Sequence, residues 1–225
     1  MKPPIRKLKK SEVEWLNDNT CRHRHTYLEH YRCFLEEKPV SPMKERIGFL
    51  DIETSNLKAS FGYIISYCIK EMGGEMYERL ITPKEIKTGV FDRELLKQFF
   101  TDVSRFDRVC VYWGKDRRHD VPFLRTRALK AKTEFPLYRD ICVIDLYDWA
   151  KNKLSLHSYK LGVVCQELGI PAKEHPLDGT TWVRAMAGDK DALAYILTHN
   201  REDVVCMEPL YTRLEPFMRK TRVTI

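Results

Sequence analysis

The chain of 225 residues predicts a mixed-sheet α/β domain, and three observations carry that prediction. Patterns succeed one another as three strands, a helix, a strand, a helix, a strand and then helices, an order that suits one sheet with antiparallel and parallel neighbours. The first strand-like run, Ile47-Gly48-Phe49-Leu50-Asp51-Ile52-Glu53-Thr54, is apolar enough to be covered on both faces. It nevertheless carries two acids two positions apart, which the alternation of a strand puts on one face. Like charges so placed raise a pKa or leave buried charge uncompensated unless a cation joins them. Hard divalent ions such as Mg²⁺ or Mn²⁺ are natural partners for carboxylate oxygens. A strand end with both acids in solvent is the alternative, and the interleaved Phe49, Leu50 and Ile52 weigh against it.

Residues 1 to 46 differ from the rest. They hold eleven Lys or Arg against seven acids, more than half of the chain's net charge of +7. Ser11-Glu12-Val13-Glu14 offers a capped helix start, and Pro39-Val40-Ser41-Pro42 reads as a linker. The expected division is a small basic helical appendage over 1–45, a main domain over 46–215 and a tail over 216–225. After the first strand, Gly62 to Ile69 reads as the second, Gly73-Gly74 as a turn and Met76 to Thr82 as the third, together an antiparallel meander. Leu95, Leu96, Phe99 and Phe100 give 91–103 the spacing of a helix. Asp107 to Trp113 is the fourth strand, Asp120 to Lys132 a helix and Ile141 to Leu146 the fifth strand. From Tyr159 onward the pattern is helical, interrupted at Gly169-Ile170-Pro171 and Ala187-Gly188-Asp189.

Composition excludes several classes. Hydrophobic residues make up 43% and charged residues 32%, which is ordinary for a globular domain with a substantial core. No apolar run approaches the roughly 20 residues that span a bilayer, and Met1-Lys2-Pro3-Pro4-Ile5 lacks a signal-peptide apolar core, so no membrane partner and a cytoplasmic location are expected. Seven cysteines spread through apolar stretches suit reduced core thiols rather than a disulfide framework. The basic balance permits binding to polyanions without requiring it.

A two-metal site needs more carboxylates than Asp51 and Glu53. Asp120 follows the fourth strand and precedes Pro122, which suits the first turn of a helix, so it is either a ligand or an N-cap. His199 and Asp203 lie four apart on a late helix, hence on one face. A histidine there is able to take a proton from an attacking water. The alternative is an ordinary His/Asp pair on a surface helix.

Asp51-x-Glu53 in the first strand, Asp120 with Pro122-Phe123-Leu124 after the fourth, and His199-x-x-x-Asp203 in a late helix together resemble the three motifs of the DEDD 3′→5′ exonuclease superfamily. Ile144-Asp145-Leu146 and Leu156-His157-Ser158-Tyr159-Lys160-Leu161 add to it. The latter is similar to a Ser-Tyr-x-Leu stretch of the exonuclease domain of B-family DNA polymerases and of their stand-alone relatives. The resemblance spans about residues 46–215 and implies a ribonuclease H-like fold, a mixed five-stranded sheet flanked by helices. Two departures stand out. The superfamily's last motif is Tyr-x3-Asp or His-x4-Asp, whereas this chain has the first spacing with the second residue type. In the second motif, His119 replaces an aromatic, and Asp116 is a rival to Asp120.

The resemblance implies a phosphodiester hydrolase that releases mononucleotides from the 3′ end of single-stranded DNA or RNA. Two Mg²⁺ or Mn²⁺ ions, typically ~3.5–4 Å apart, would be held by Asp51, Glu53, Asp120 and Asp203, with His199 orienting or deprotonating the water. An endonuclease using the same carboxylates, or a nucleic-acid-binding module with little catalysis, stays open.

Cys21-Arg22-His23-Arg24-His25-Thr26-Tyr27-Leu28-Glu29-His30-Tyr31-Arg32-Cys33 concentrates three of the seven histidines between two cysteines. Cys21 with His25, and His30 with Cys33, have one-turn spacings that suit a tetrahedral Zn²⁺ site, with His23 as a competitor. A basic His-rich helix without metal is the alternative, and a zinc-stabilised adaptor is a third functional reading. Arg117, Arg118, Arg125, Arg127, Lys130 and Lys132 around Asp120 form either a phosphate-holding rim or a solvated face. Trp182 and Met186 fit core spacing.

Overall fold

The computed structural model describes residues 10–37, 45–137, 140–171 and 175–218, with the side chains of 10–12 left aside. The expected linker at 39–42, most of the basic residues of the first ten, and 219–225 of the expected tail lie outside the described residues. The chain forms two compact units, Met1–Arg46 and Ile47–Ile225.

In the first unit, α1 (Lys10–Asp18) and α2 (Tyr31–Glu37) are joined by a turn closed by a bridge between Thr20 and Thr26. Leu16, Cys21, Tyr27 and Cys33 are its buried residues among those described, with Trp15 stacked on Tyr27 at 5.6 Å and Phe34 packed alongside. That is a small core for so short a segment.

The second unit is a five-stranded sheet of order β3-β2-β1-β4-β5. Its strands are β1 (Ile47–Thr54), β2 (Ile64–Glu71), β3 (Met76–Leu80), β4 (Arg108–Val111) and β5 (Cys142–Asp145). β1 pairs antiparallel with β2, and β2 with β3, which is the expected meander. β4 lies parallel to β1, and β5 parallel to β4. Helices α3 (Pro83–Thr88), α4 (Arg93–Val103), α5 (Asp120–Ala131), α6 (Leu146–Lys153), α7 (Leu161–Glu167), α8 (Gly179–Met186) and α9 (Lys190–Met218) complete it. Two of these escape the sequence pattern. α3 is a six-residue helix opened by a capping box between Thr82 and Glu85, and α6 starts directly on β5 with Asp145 as its N-cap.

Alternation along β1 sorts its side chains between two cores. Leu50 and Ile52 join the cluster of Leu95, Leu96, Phe99 and Leu124 from α4 and α5. Ile47 and Phe49 join the opposite cluster with Val204, Met207, Leu210 and Leu214 of α9. Asp51 and Glu53 continue that second face beyond the point where α9 covers it with apolar side chains. Trp182 is half-buried against the first core, whereas Met186 is exposed, so the expected core role of Met186 does not hold. α8 ends at that residue, while its neighbour Ala185 is the one that is buried in the first core.

A buried ion pair ties α5 to the sheet. Asp92 is fully buried and accepts from Ile64 N at 2.9 Å and from Arg127 Nε and Nη2 at 2.8 and 2.6 Å.

Candidate active site

The acids gather at the carboxyl ends of the parallel neighbours β1 and β4, where the sheet changes from antiparallel to parallel pairing. Crevices outside such strand ends are where α/β sheets place ligands. Asp51 and Glu53 leave the end of β1, Asp120 opens α5 after β4, and Asp203 comes from α9. All four line one cleft of about 440 Å³, together with Thr54, Leu57, Tyr112, Trp113, His119 and Trp182.

Asp120 is the first residue of α5, with His119 at the N-cap position and no side-chain cap, which removes the N-cap alternative. Its carboxylate is buried, and Oδ2 has no hydrogen-bond partner among the described residues. Burial, then the negative charges of Asp51, Glu53, Asp145 and Asp203, push its carboxyl well above the ordinary value of 3.8. The carboxylate reaches this position only because residue 114 is glycine: a Cβ there would sit 2.4 Å from Asp120 Oδ2 and 2.9 Å from Val111 Cβ.

The loop between β4 and α5 is held by Asp145 at the end of β5. Its carboxylate accepts from Trp113 N at 2.8 Å and Lys115 N at 3.1 Å and forms an ion pair with Arg118 Nη1 at 2.6 Å. Arg118 also pairs with Asp148. Asp145 thus positions Gly114 and Asp120. The rival acid is turned away: Asp116 is exposed and paired with Arg125 at 2.8 Å.

On α9, Asn200 donates to Asp51 Oδ2 at 2.6 Å, and Ser66 Oγ donates to Asn200 Oδ1 at 3.1 Å, both of these side chains being fully buried. His199 Nδ1 lies 2.5 Å from the carbonyl oxygen of His175. A carbonyl only accepts, so Nδ1 carries the proton and Nε2 is aimed the other way. Nε2 is 3.7 Å from Glu53 Oε1 and 3.6 Å from Asp203 Oδ2. His175 is itself anchored by Glu202. Glu53, His199 and Asp203 thereby offer donor atoms within 4.8 Å of one another. A histidine whose Nδ1–H is held by a backbone carbonyl has the orientation typical of metal ligands. Asn200, Ser66, His175 and Gly114 carry no recognisable spacing in the sequence, and Asp145 is marked there only within Ile144-Asp145-Leu146.

The basic rim expected around Asp120 is largely used inside the domain. Arg127 is locked to Asp92, Arg125 to Asp116, Arg118 to Asp145 and Asp148, and Lys130 donates to the carbonyls of Ala59 and Ser60. Apolar exposure marks the cleft instead, with Leu57 at 80% and Trp113 at 52%. Tyr112 and Trp113 also line an adjoining groove with Tyr147, Ser158, Tyr159, Lys160 and Leu161. A larger cavity of about 580 Å³ under α5 is mostly apolar and contains none of the four clustered acids.

In the first unit, Cys21, His30 and Cys33 come together, but the fourth donor is His23 and not His25. The turn explains the exchange. His25 uses its carbonyl to accept from Cys21 N at 2.9 Å, and Arg24 adopts a φ of 65°, so the hairpin directs residue 23 rather than 25 to the sulfurs.

A specific pH effect follows from Asp120. A raised carboxyl pKa means that the folded state keeps a proton the unfolded state has lost. In metal-free protein, Asp120's own contribution to stability is therefore full below about 3.8 and is lost as pH rises through the elevated folded value, by at most about 1.4 kcal/mol per unit. Asp120→Asn, an isostere of the neutral acid, should melt higher than wild type in EDTA near neutrality, with the gap closing toward acid pH. Parallel melting profiles for the two proteins would sink this account.

Acidic groups at adjacent strand ends of a mixed five-stranded sheet, closed by a late helix, define a carboxylate-centred site on a ribonuclease H-like α/β fold. The chain belongs to the RNase_H superfamily, whose family model matches residues 48–215. No curated protein matches its sequence. Among solved structures it is similar to the family B DNA polymerase from the hyperthermophilic archaeon Pyrobaculum calidifontis, with a TM-score of 0.63 and 18% identity. The alignment covers 79% of this chain and 25% of the polymerase, so the chain spans about a quarter of that protein and shares the fold of the matched part. Among the described residues no helix is long and apolar enough to cross a membrane.

Proposed function

We propose that this chain is a metal-dependent 3′→5′ exonuclease of DEDD type acting on single-stranded ends of DNA or RNA. Membership of the superfamily supports a nuclease-type activity. The observation that carries the finer reading is the convergence of Asp51, Glu53, Asp120 and Asp203 on one cleft, with a buried, unpartnered Asp120 oxygen. An isolated buried carboxylate is costly, and an all-oxygen donor set fits a hard divalent ion. Such ions, held by these four residues, would supply Lewis-acid polarisation of the phosphate and lower the pKa of a bound water.

The remaining steps belong to the protein's own groups. Asn200 fixes one oxygen of Asp51, which lines the cleft. His199 presents Nε2 beside Glu53 and Asp203, where it accepts the proton of the attacking water and the two carboxylates stabilise the resulting imidazolium. Leu57 and Trp113 give the terminal base an apolar platform, and the groove past Tyr112 to Tyr159 and Lys160 carries the preceding nucleotides.

Degradation of 3′- and 5′-labelled single-stranded DNA and RNA in Mn²⁺, Mg²⁺ or EDTA tests the reading. Metal-dependent mononucleotide release from the 3′ end supports it. Internal fragments would make it an endonuclease, and intact substrate with tight, salt-sensitive binding a binding module. Gly114→Ala should lower kcat about 10²-fold with an unchanged circular dichroism spectrum, because a displaced catalytic carboxylate costs that much for about 1 Å. Wild-type kcat in this variant would show that Asp120 is not needed where it sits.

A further inference from the structure

The first unit holds a second cluster of metal-ligating groups, remote in chemistry from the carboxylates. Cys21 Sγ lies 3.9 Å from His23 Nδ1 and 3.7 Å from His30 Nδ1; Cys33 Sγ lies 3.3 Å and 3.6 Å from the same two nitrogens. All four donor atoms are within 4.8 Å of one another. A tetrahedral ion with Zn–S of about 2.3 Å and Zn–N of about 2.0 Å sets sulfur and nitrogen about 3.5–3.6 Å apart. The four separations bracket that value, and both rings present the same nitrogen to both sulfurs. A Cys₂His₂ set of borderline-soft donors selects Zn²⁺ over the Mg²⁺ or Mn²⁺ that suits oxygen ligands.

The backbone is arranged around the same point. Arg24 N donates to Cys21 O at 2.8 Å, Cys21 N to His25 O at 2.9 Å and Cys33 N to His30 O at 2.8 Å. These bonds form a knuckle and a helix start that carry one Cys/His pair each. The cysteines are buried and the histidines exposed, so the sulfurs face inward and the rings close the site from the solvent side. Both cysteines are free thiols rather than a bridge.

Energetics call for such a staple. Four buried residues and two partly buried aromatics are the whole described apolar core of this unit. A segment of this size does not bury enough surface to offset its chain entropy without a disulfide, a metal or a partner. Zinc binding to a structural site is folding free energy.

We propose that Cys21, His23, His30 and Cys33 bind one structural Zn²⁺ that folds the first unit, independently of the carboxylate site and of the activity assigned to it. The test uses the full-length chain carrying Asp51→Asn, so that the carboxylates contribute little. Elemental analysis after extensive dialysis should find about one zinc per chain. Reconstitution with Co²⁺ should give the intense d–d bands of a tetrahedral ion together with thiolate-to-cobalt charge transfer. Cys33→Ser and His23→Ala should each lose the metal, whereas His25→Ala keeps it. The His25→Ala and His23→Ala pair guards against a variant that merely misfolds, because both replace an exposed ring in the same turn. Absence of bound metal, a Cys21–Cys33 disulfide seen as two missing thiols, a cobalt spectrum without thiolate charge transfer, or equal metal loss in the two histidine variants would each overturn the proposal.

Discussion

Asp51→Asn is expected to lower hydrolysis by about 10³-fold while the protein stays folded and still binds nucleic acid. The central strand supplies this acid, and Asn200 on α9 holds its Oδ2 at 2.6 Å. The amide of an asparagine at 51 still offers an oxygen to Asn200, so the hydrogen bond that joins α9 to β1 survives. What disappears is the negative charge. A carboxylate that holds a catalytic divalent ion contributes several kcal/mol to stabilising the charge of the transition state, and about 1.4 kcal/mol corresponds to tenfold in rate. The measurement is single-turnover release of mononucleotide from a 3′-labelled strand in Mn²⁺, beside a filter-binding titration. Undiminished activity would remove Asp51, and with it the exonuclease reading; lost binding as well as lost activity would point instead to a damaged fold.

The second large effect concerns stability. Arg127→Ala should destabilise the second unit by about 3–5 kcal/mol, because it strands Asp92, whose side chain is 1% exposed, without its cation. At roughly 2–4 °C per kcal/mol for a domain of this size, thermal melting should fall by about 10 °C. Adding Asp92→Asn to that variant should recover part of the loss, since the amide oxygen still accepts from Ile64 N and no charge remains buried. Urea and thermal unfolding measure both. A loss below about 1 kcal/mol would make this an ordinary surface pair and restore Arg127 as a phosphate contact.

The fate of the arginines shows where sequence reasoning stops. Arg125, Arg127 and Lys130 have the helical spacing of a basic stripe, and nothing local reveals that Asp92, Asp116 and two loop carbonyls take them up. Those partners are 9 to 71 residues away along the chain. The same holds for His25 and His23. One-turn spacing favours His25 as a partner of Cys21, but the segment is a tight turn with Arg24 in the left-handed region, where helical spacing does not apply. α6 escaped because it follows β5 without a loop, so no breaker residue announces it.

The sequence by itself determined the order of the five strands, the antiparallel meander and the helices other than α3 and α6, because alternation, helical period and turn residues are local properties, whereas Asp51, Glu53, Asp120 and Asp203 came together as a set through the resemblance to the exonuclease motifs. Only the tertiary structure decided that Gly114 makes room for Asp120, that Asp145 holds the loop carrying it and that the carbonyl of His175 aims His199 Nε2 at Glu53 and Asp203. It also decided which cations are free to meet a phosphate. Each of these is set by the packing of elements distant in sequence, where a hydrogen bond or a single Cβ depends on register and helix position that no local pattern encodes.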